Sequence, residues 1–295
     1  MKIYECIKIL SKQYPLSVVC NALNVNKSSY LYWLNTGISN EKNRSLFFIQ
    51  IINIYSESNG IYGAHKITAI LNKRNFNCSI SKVSLSMNIL GIRSIVSKKF
   101  PKKISKMNDK EKALIVNLIK DLSITRINQV WTTDITYIKT INEGTFYLIS
   151  YIDYYSKKVV SWGLFINQKT DKILIVLKNA IKIRKPNPGL ICHSDKGSQF
   201  RSKNYRLFLN KNNFIFSYTS LNHSCDENAA QESFHASLKK ECIYQKKLYT
   251  YEDAYKAIYE YIEGFYNPIR IHSSIGYLSP NQFEKIEKNI KTPSI

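Results

Sequence analysis

Apolar positions in the first third of the chain recur at helical spacing. Val18, Val19, Ala22 and Leu23 line one face before Asn24-Val25-Asn26 breaks the run, and Ser28-Ser29 can open a second helix. Residues 1–36 therefore read as helix, short turn, helix. Tyr30, Tyr32 and Trp33 on the second helix are placed for a core or for stacking on bases. Between residues 40 and 95 the same period returns. Phe47, Phe48, Ile51, Ile52 and Tyr55 fall on one helix, Gly60-Ile61-Tyr62-Gly63 makes a turn, and Ile67, Ile70 and Leu71 fall on the next. Ser81 is expected to open a third helix that closes at Gly91. A small helical unit of this kind suits helix-turn-helix docking on DNA, a pattern it shares with many bundles.

From Gln129 the period changes to two. Val130, Thr132, Asp134, Thr136 and Ile138 share one face of a strand, while Trp131, Thr133, Ile135 and Tyr137 share the other, which places Asp134 mid-strand. Two further strands are predicted near Thr145 to Ile152 and Lys158 to Phe165, joined by turns at Asn142-Glu143-Gly144 and around Ser156. A helix follows from about Thr170 to Arg184 on Ile173, Leu174, Leu177 and Ile181. Pro186 and Pro188 then deliver the chain to Gly189-Leu190-Ile191-Cys192-His193-Ser194-Asp195, an apolar run that stops on a carboxylate ahead of Gly197-Ser198 turn chemistry. Asp195 is thus expected at the C-terminal end of a strand, where open sheets place their chemistry. Three strands, a helix and a strand imply an α/β fold on a mixed sheet. Tyr205 to Leu209 suggests a short helix and Phe214 to Tyr218 a short strand. Ser224 to Glu227 has the pattern of a capping box for a helix whose apolar side carries Ala230, Phe234 and Leu238. Glu232 shares the opposite face with His235, Ala236 and Lys239.

Charge adds a partner to this outline. The 295 residues carry 43 Lys+Arg against 21 Asp+Glu, a formal net charge of +22, which points to a polyanion. Lys98, Lys99, Lys102, Lys103, Lys106, Lys110 and Lys112 crowd around Pro101, as in an exposed linker or a segment that tracks a phosphate backbone. The six cysteines, Cys6, Cys20, Cys78, Cys192, Cys225 and Cys242, show no zinc spacing and read as reduced thiols. With neither a signal peptide nor a membrane span in the pattern, the expected location is cytoplasmic, on the nucleoid.

Three acids come from three elements. Asp195 follows Asp134 by 61 positions and Glu232 follows Asp195 by 37. A two-metal site needs such a set, because hard Mg²⁺ ions take oxygen ligands and two ions about 4 Å apart can hold the attacking and leaving oxygens of a phosphodiester. Spacing alone leaves open that these are surface acids that never meet. Asp153, Asp226 and Glu227 read as turn and helix-start acids, and His193 as a core or hydrogen-bonding residue.

Three motifs carry a resemblance. Trp131-Thr132-Thr133-Asp134-Ile135-Thr136-Tyr137, His193-Ser194-Asp195-Lys196-Gly197-Ser198-Gln199-Phe200 and Asn228-Ala229-Ala230-Gln231-Glu232-Ser233-Phe234 resemble the DDE catalytic core of insertion-sequence transposases of the IS-three family, which are similar to retroviral integrases. The stretch Tyr266 to Pro280, with Arg270 and His272, resembles the family's C-terminal signature. Ile61 to Ile67 and Asn88 to Ile92 resemble its helix-turn-helix-like region.

The resemblance implies an RNase H-like mixed sheet flanked by helices, preceded by a small all-helical region. It implies Asp134, Asp195 and Glu232 as catalytic residues and metal ligands, with two Mg²⁺ ions, or Mn²⁺ in their place, driving strand cleavage and strand transfer at transposon ends. Lys239, Arg270 and His272 are the expected DNA contacts. Expected partners are transposon-end and target DNA, further copies of the chain, and an upstream-frame DNA-binding protein or frameshift fusion, since Met1 falls inside the family's catalytic frame. The expected organisation is a helical segment 1–36, a helix-turn-helix-like region 37–96, a basic linker 97–124, a catalytic core with helical extension 125–285 and a tail 286–295. Between Asp195 and Glu232 lie 36 residues, one more than is usual in the family, and the extra residue falls in the Ser217 to Ser224 loop upstream of the helix. Alternative readings are a noncatalytic DNA-binding module, an inactive transposase copy, and an RNase H-like nuclease that cuts without joining.

Overall fold

The computed structural model describes residues 2–97, 117–219 and 228–291. The chain divides into two compact units, Met1–Ser94 and Ile95–Ile295. The Lys98 to Lys112 run and the Ser224–Glu227 capping box lie outside the described residues.

The first unit is helical: α1 (Lys2–Leu10), α2 (Leu16–Ala22), α3 (Lys27–Glu57), α4 (Ala64–Lys73) and α5 (Ile80–Ile89). Asn26 starts α3 by accepting the Ser28 N–H at 2.8 Å, so the break read at Asn24 to Asn26 is a helix cap. Ile7, Val19, Cys20 and Tyr30 form a small core with Tyr4 and Trp33 against it, whereas Tyr32 is 72% exposed. The core alternative therefore holds for Tyr30 and Trp33. Helix α3 continues unbroken through position 36, where the pattern placed a boundary. Its C-terminal half buries Phe47, Ile51 and Ile54, while Ile67 and Leu71 of α4 and Val83 and Met87 of α5 are buried too. Ser79 caps α5, accepting from Lys82 N at 3.2 Å; the cap stands two residues before the expected Ser81.

The second unit is built on a five-stranded sheet: β1 (Val130–Lys139), β2 (Thr145–Asp153), β3 (Val159–Phe165), β4 (Ile191–Ser194) and β5 (Ile215–Tyr218). Their order is β3-β2-β1-β4-β5, with β1, β2 and β3 antiparallel in sequence and β4 and β5 running parallel to β1. One face packs α6 (Thr170–Arg184) and α7 (Lys203–Lys211) through Trp131, Ile149, Tyr151, Ile173, Val176, Leu177, Tyr205 and Leu209. The other face receives α8 (Ala229–Glu241), whose Gln231 side chain reaches the backbone of β1 and β2. A mixed sheet in this order, with helices on both faces, is the RNase H-like arrangement.

A further helical layer follows: α9 (Tyr251–Tyr259) running into a π-helical turn (Glu260–Tyr266), then α10 (Pro280–Lys291). Asn267 closes the outer edge of β3, accepting from Val159 N and donating to Val159 O, both at 3.0 Å. Asp153 is fully buried at the end of β2, where it accepts from Asn128 N, Tyr155 N and Ser156 N, and Arg184 links it to Glu284 of α10. The structural reading of Asp153 agrees with these bonds. Cys6, Cys20, Cys78, Cys192 and Cys242 carry free thiols, and no helix among the described residues is long and apolar enough to cross a membrane.

Candidate active site

Strands β1 and β4 pair from Val130↔Ile191 to Thr133↔Ser194. The next two residues in that register are Asp134 and Asp195, where the strands part. Residues adjacent in a parallel register lie on the same face, so the two acids share one fork of the sheet. The buried run before each acid explains the placement. Val130 to Thr133 and Cys192 to Ser194 are buried, which fixes both strands up to the point where a charge needs solvent or a counter-ion.

Asp134 Oδ1 accepts the N–H of Ile135 at 2.7 Å. Burial first, then the charge of Asp195 and, more weakly, that of Glu232 push its carboxyl up to about 7, against the opposing pull of the Ile135 N–H and Lys239. The three acids therefore share an electrostatic field. Among the described residues, no three His, Cys, Asp or Glu side chains converge closely enough to hold a metal ion, so the carboxylates are neighbours without forming a closed cage. Asp195 is steadied by its own turn, since Oδ1 accepts from Gly197 N at 2.9 Å. A Cβ on Gly197 would meet that same oxygen at 3.0 Å and Gln199 Oε1 at 3.0 Å, so a side chain there must displace both by a few tenths of an ångström.

Glu232 stands exposed in the first turn of α8, where the helix dipole favours a negative charge. Its neighbour Gln231 is fully buried. The Gln231 amide donates to Thr132 O at 2.8 Å and Ser150 O at 3.2 Å, and its oxygen accepts from Ser150 Oγ at 3.0 Å. This clamp fixes the start of α8 against the two strands beside Asp134. The helix begins at Ala229 with Asn228 as its cap residue, and no side-chain cap bond forms there.

Two families described as integrase core domain match residues 124–224 and 232–287, and an HTH-like domain family matches residues 42–100. A transposase for insertion sequence element IS904 of Lactococcus lactis is 34% identical over 82% of this chain and 94% of its own length. Transposase InsF for insertion sequence IS3A of Escherichia coli is 31% identical over 95% of this chain and 98% of its own. The chain belongs to the IS-three family of insertion-sequence transposases. It is a DDE-type enzyme that acts on DNA. Among solved structures, the HTLV-2 integrase catalytic core domain in complex with magnesium is similar at 17% identity and a TM-score of 0.41, covering 53% of this chain and 95% of that one.

In this transposase, sequence reasoning passed over two residues of the site. His235 Nδ1 lies 3.5 Å from Asp134 Oδ2, and burial, then Lys239, push the imidazole down to about 3. His235 is therefore neutral at physiological pH and cannot act as the counter-ion of Asp134, and its Nε2 is buried without a hydrogen-bond partner. Its position three residues after Glu232 was the available signal. Gln231 gave one too, three and seven residues before Phe234 and Leu238 on the packed side.

Of the expected DNA contacts, Lys239 stands beside the acids. Its Nζ lies 4.6 Å from the centre of the Tyr137 ring, and burial lowers its pKa while Asp134 raises it. Arg270 lies in the packed interior. Its guanidinium is buried, with Nε and Nη2 on the Glu241 carboxylate at 2.8 and 2.7 Å and Nη2 also on Ser237 Oγ at 2.8 Å. Those donors hold the end of α8 and are not presented to a phosphate. His272 packs edge-on against Tyr266 at 4.9 Å and beside Arg270 Nη1 at 3.4 Å, which gives it a place in the same packed cluster. His193 is buried with Nδ1 2.9 Å from Ser217 Oγ, in keeping with a structural hydrogen-bonding role.

Proposed function

We propose that Asp134, Asp195 and Glu232 are the carboxylates with which this transposase cleaves DNA strands at insertion-sequence ends and joins them to a target, and that they hold divalent metal in doing so. The observation that carries the reading is the parallel register of β1 and β4, which sets Asp134 and Asp195 at one fork of the sheet, where the charges of Asp195 and Glu232 both act on the buried Asp134 carboxyl. A cation would relieve that repulsion; the carboxylates do not close into a cage by themselves, but they offer the oxygen donors that hard Mg²⁺ takes, and we take the ions to be two, with Mn²⁺ as a substitute. Once bound, such ions supply Lewis-acid stabilisation to the attacking and departing oxygens of the phosphodiester.

The chain's own residues prepare that site. The central strand fixes Asp134, the Gly197 N–H holds Asp195, and the Gln231 clamp orients the helix that presents Glu232. Lys239 offers a cation to a DNA phosphate next to the acids. Water serves as nucleophile for cleavage and a 3′-hydroxyl for joining, with no covalent bond between protein and DNA. Because two ends and one target enter a single reaction, we take the acting species to be a homo-multimer on DNA, with an upstream-frame DNA-binding protein or fusion sharing end recognition.

Incubation with Mg²⁺ and a labelled transposon-end duplex tests the reading. Strand-transfer product supports it, cleavage without joining indicates a nuclease, and binding without either indicates a DNA-binding module or an inactive copy. Asp134→Asn, Asp195→Asn and Glu232→Gln are each expected to lower the rate at least about 10²–10³-fold, as on loss of a group that stabilises transition-state charge. Equal cleavage by wild type and Glu232→Gln would overturn the ligand assignment.

A further inference from the structure

Beyond Asp134, β1 has no partner on its β4 side, because that pairing ends at Thr133↔Ser194. A groove of about 430 Å³ runs along this open stretch, between Tyr137 to Ile141 on one wall and Lys239 with residues 243–248 on the other. Its walls are fixed by backbone bonds from Ile141 N to Leu248 O and from Asn142 N to Tyr249 O, both 2.9 Å. Tyr137, Tyr244 and Ile141 line it while remaining 57%, 53% and 61% exposed. Lys139, Lys239, Lys246 and Lys247 line it as well, and none of the described lining residues is acidic. Lys246 is drawn to Glu260 at 3.4 Å, which leaves the other three lysines to set the charge of the groove.

This composition selects its occupant. Exposed aromatic rings interleaved with lysines suit single-stranded nucleic acid, whose bases offer π-faces and whose phosphates offer charge. A duplex keeps its base faces stacked and cannot use the rings. An apolar peptide would use the rings but waste the lysines. The volume lies in the range of a small-molecule site, enough for a base and its sugar.

We propose that this groove binds unpaired nucleotides of the DNA strand that flanks the scissile phosphate, with bases resting on Tyr137 and Tyr244 and phosphates on Lys139, Lys239 and Lys247. It rests on the placement of the scissile phosphate at the three acids. Lys239 joins the two sites, since it lines the groove and also interacts with Asp134. The groove thus prefers ends that are already frayed and holds them open, so that strand separation beside the cut contributes to selecting the substrate.

The test uses the full chain and reads binding, so it stands apart from whether the acids catalyse cleavage. Fluorescence anisotropy with a labelled oligo-dT strand and with a duplex of equal length is measured for wild type, Tyr137→Leu/Tyr244→Leu and Tyr137→Phe/Tyr244→Phe. The leucine pair is expected to weaken single-strand binding about tenfold or more, with duplex binding changed less than about twofold and the phenylalanine pair close to wild type. In parallel, 5-iodouracil in the single strand is expected to crosslink to Tyr137 or Tyr244 on irradiation. Equal losses for single strand and duplex, no loss for either, or crosslinks confined to residues 1–94 would each overturn the assignment. Loss of cleavage by Glu232→Gln with single-strand binding retained would uphold both readings, whereas cleavage that survives it would overturn the ligand assignment alone.

Discussion

Asp134 holds its proton more tightly in the folded chain than in the unfolded one, because burial and two neighbouring acids raise its carboxyl to about 7. Between about pH 4 and pH 7 the native state therefore binds a proton that the unfolded state has released, and without metal stability falls as pH rises through that window. Asp134→Asn is expected to flatten this slope and to be more stable than wild type at pH 8 by about 2 kcal/mol, a figure reduced for partial solvent access. Urea unfolding in EDTA at pH 5 and pH 8 measures it, and an unchanged slope would refute the assignment. At Gly197 the effect lies in geometry. A methyl group 3.0 Å from Asp195 Oδ1 must push that carboxylate aside, so Gly197→Ala is expected to lower the cleavage rate about tenfold or more while costing less than about 1 kcal/mol of stability. A thermal shift without a rate change would count against that account.

Helix α8 shows how one element serves two masters. Its apolar side packs through Phe234 and Leu238, its N-terminal turn is clamped by Gln231, and its C-terminal end is held by the buried Arg270–Glu241 pair. Gln231→Ala is expected to cost about 2–4 kcal/mol in thermal or urea unfolding, since it leaves a cavity and takes the acceptor from the buried Ser150 hydroxyl. Arg270→Ala is expected to cost about 3–5 kcal/mol by stranding the Glu241 charge. If Arg270 instead held a phosphate, the salt dependence of DNA binding by this variant would flatten and its stability would stay near wild type. Much of the surrounding fold was legible in the sequence. The 3.6-residue period located α6 at Thr170–Arg184 and the two-residue period placed Asp134 within β1, because both patterns record burial along one local element. Tertiary partners were not legible. Glu241 stands 29 residues before Arg270, so an arginine in a basic tail read as a surface group. Helix α8 is described from Ala229, so the Ser224 capping box lies outside the described residues, while Ser79 takes the cap that Ser81 was expected to supply.

At the scale of the whole molecule, charge is the dominant feature. A formal net charge of +22 makes DNA affinity strongly dependent on salt. Full-length wild-type protein is expected to lose at least about 10³-fold in duplex affinity between 50 and 200 mM salt, provided it neutralises six or more phosphates. A titration by anisotropy checks this, and a slope near zero would show that charge is not the source of binding. The parallel pairing of β1 with β4 also decides when the enzyme becomes dangerous. It joins residues 61 positions apart, and Glu232 comes 37 later still. Non-local pairing of this kind forms slowly, and a chain leaving the ribosome completes its N-terminal helical unit long before the third acid emerges. If Glu232 is the third ligand, as proposed, a truncated product that ends before α8 keeps the helical unit and lacks that carboxylate, and it is expected to bind DNA without cutting it.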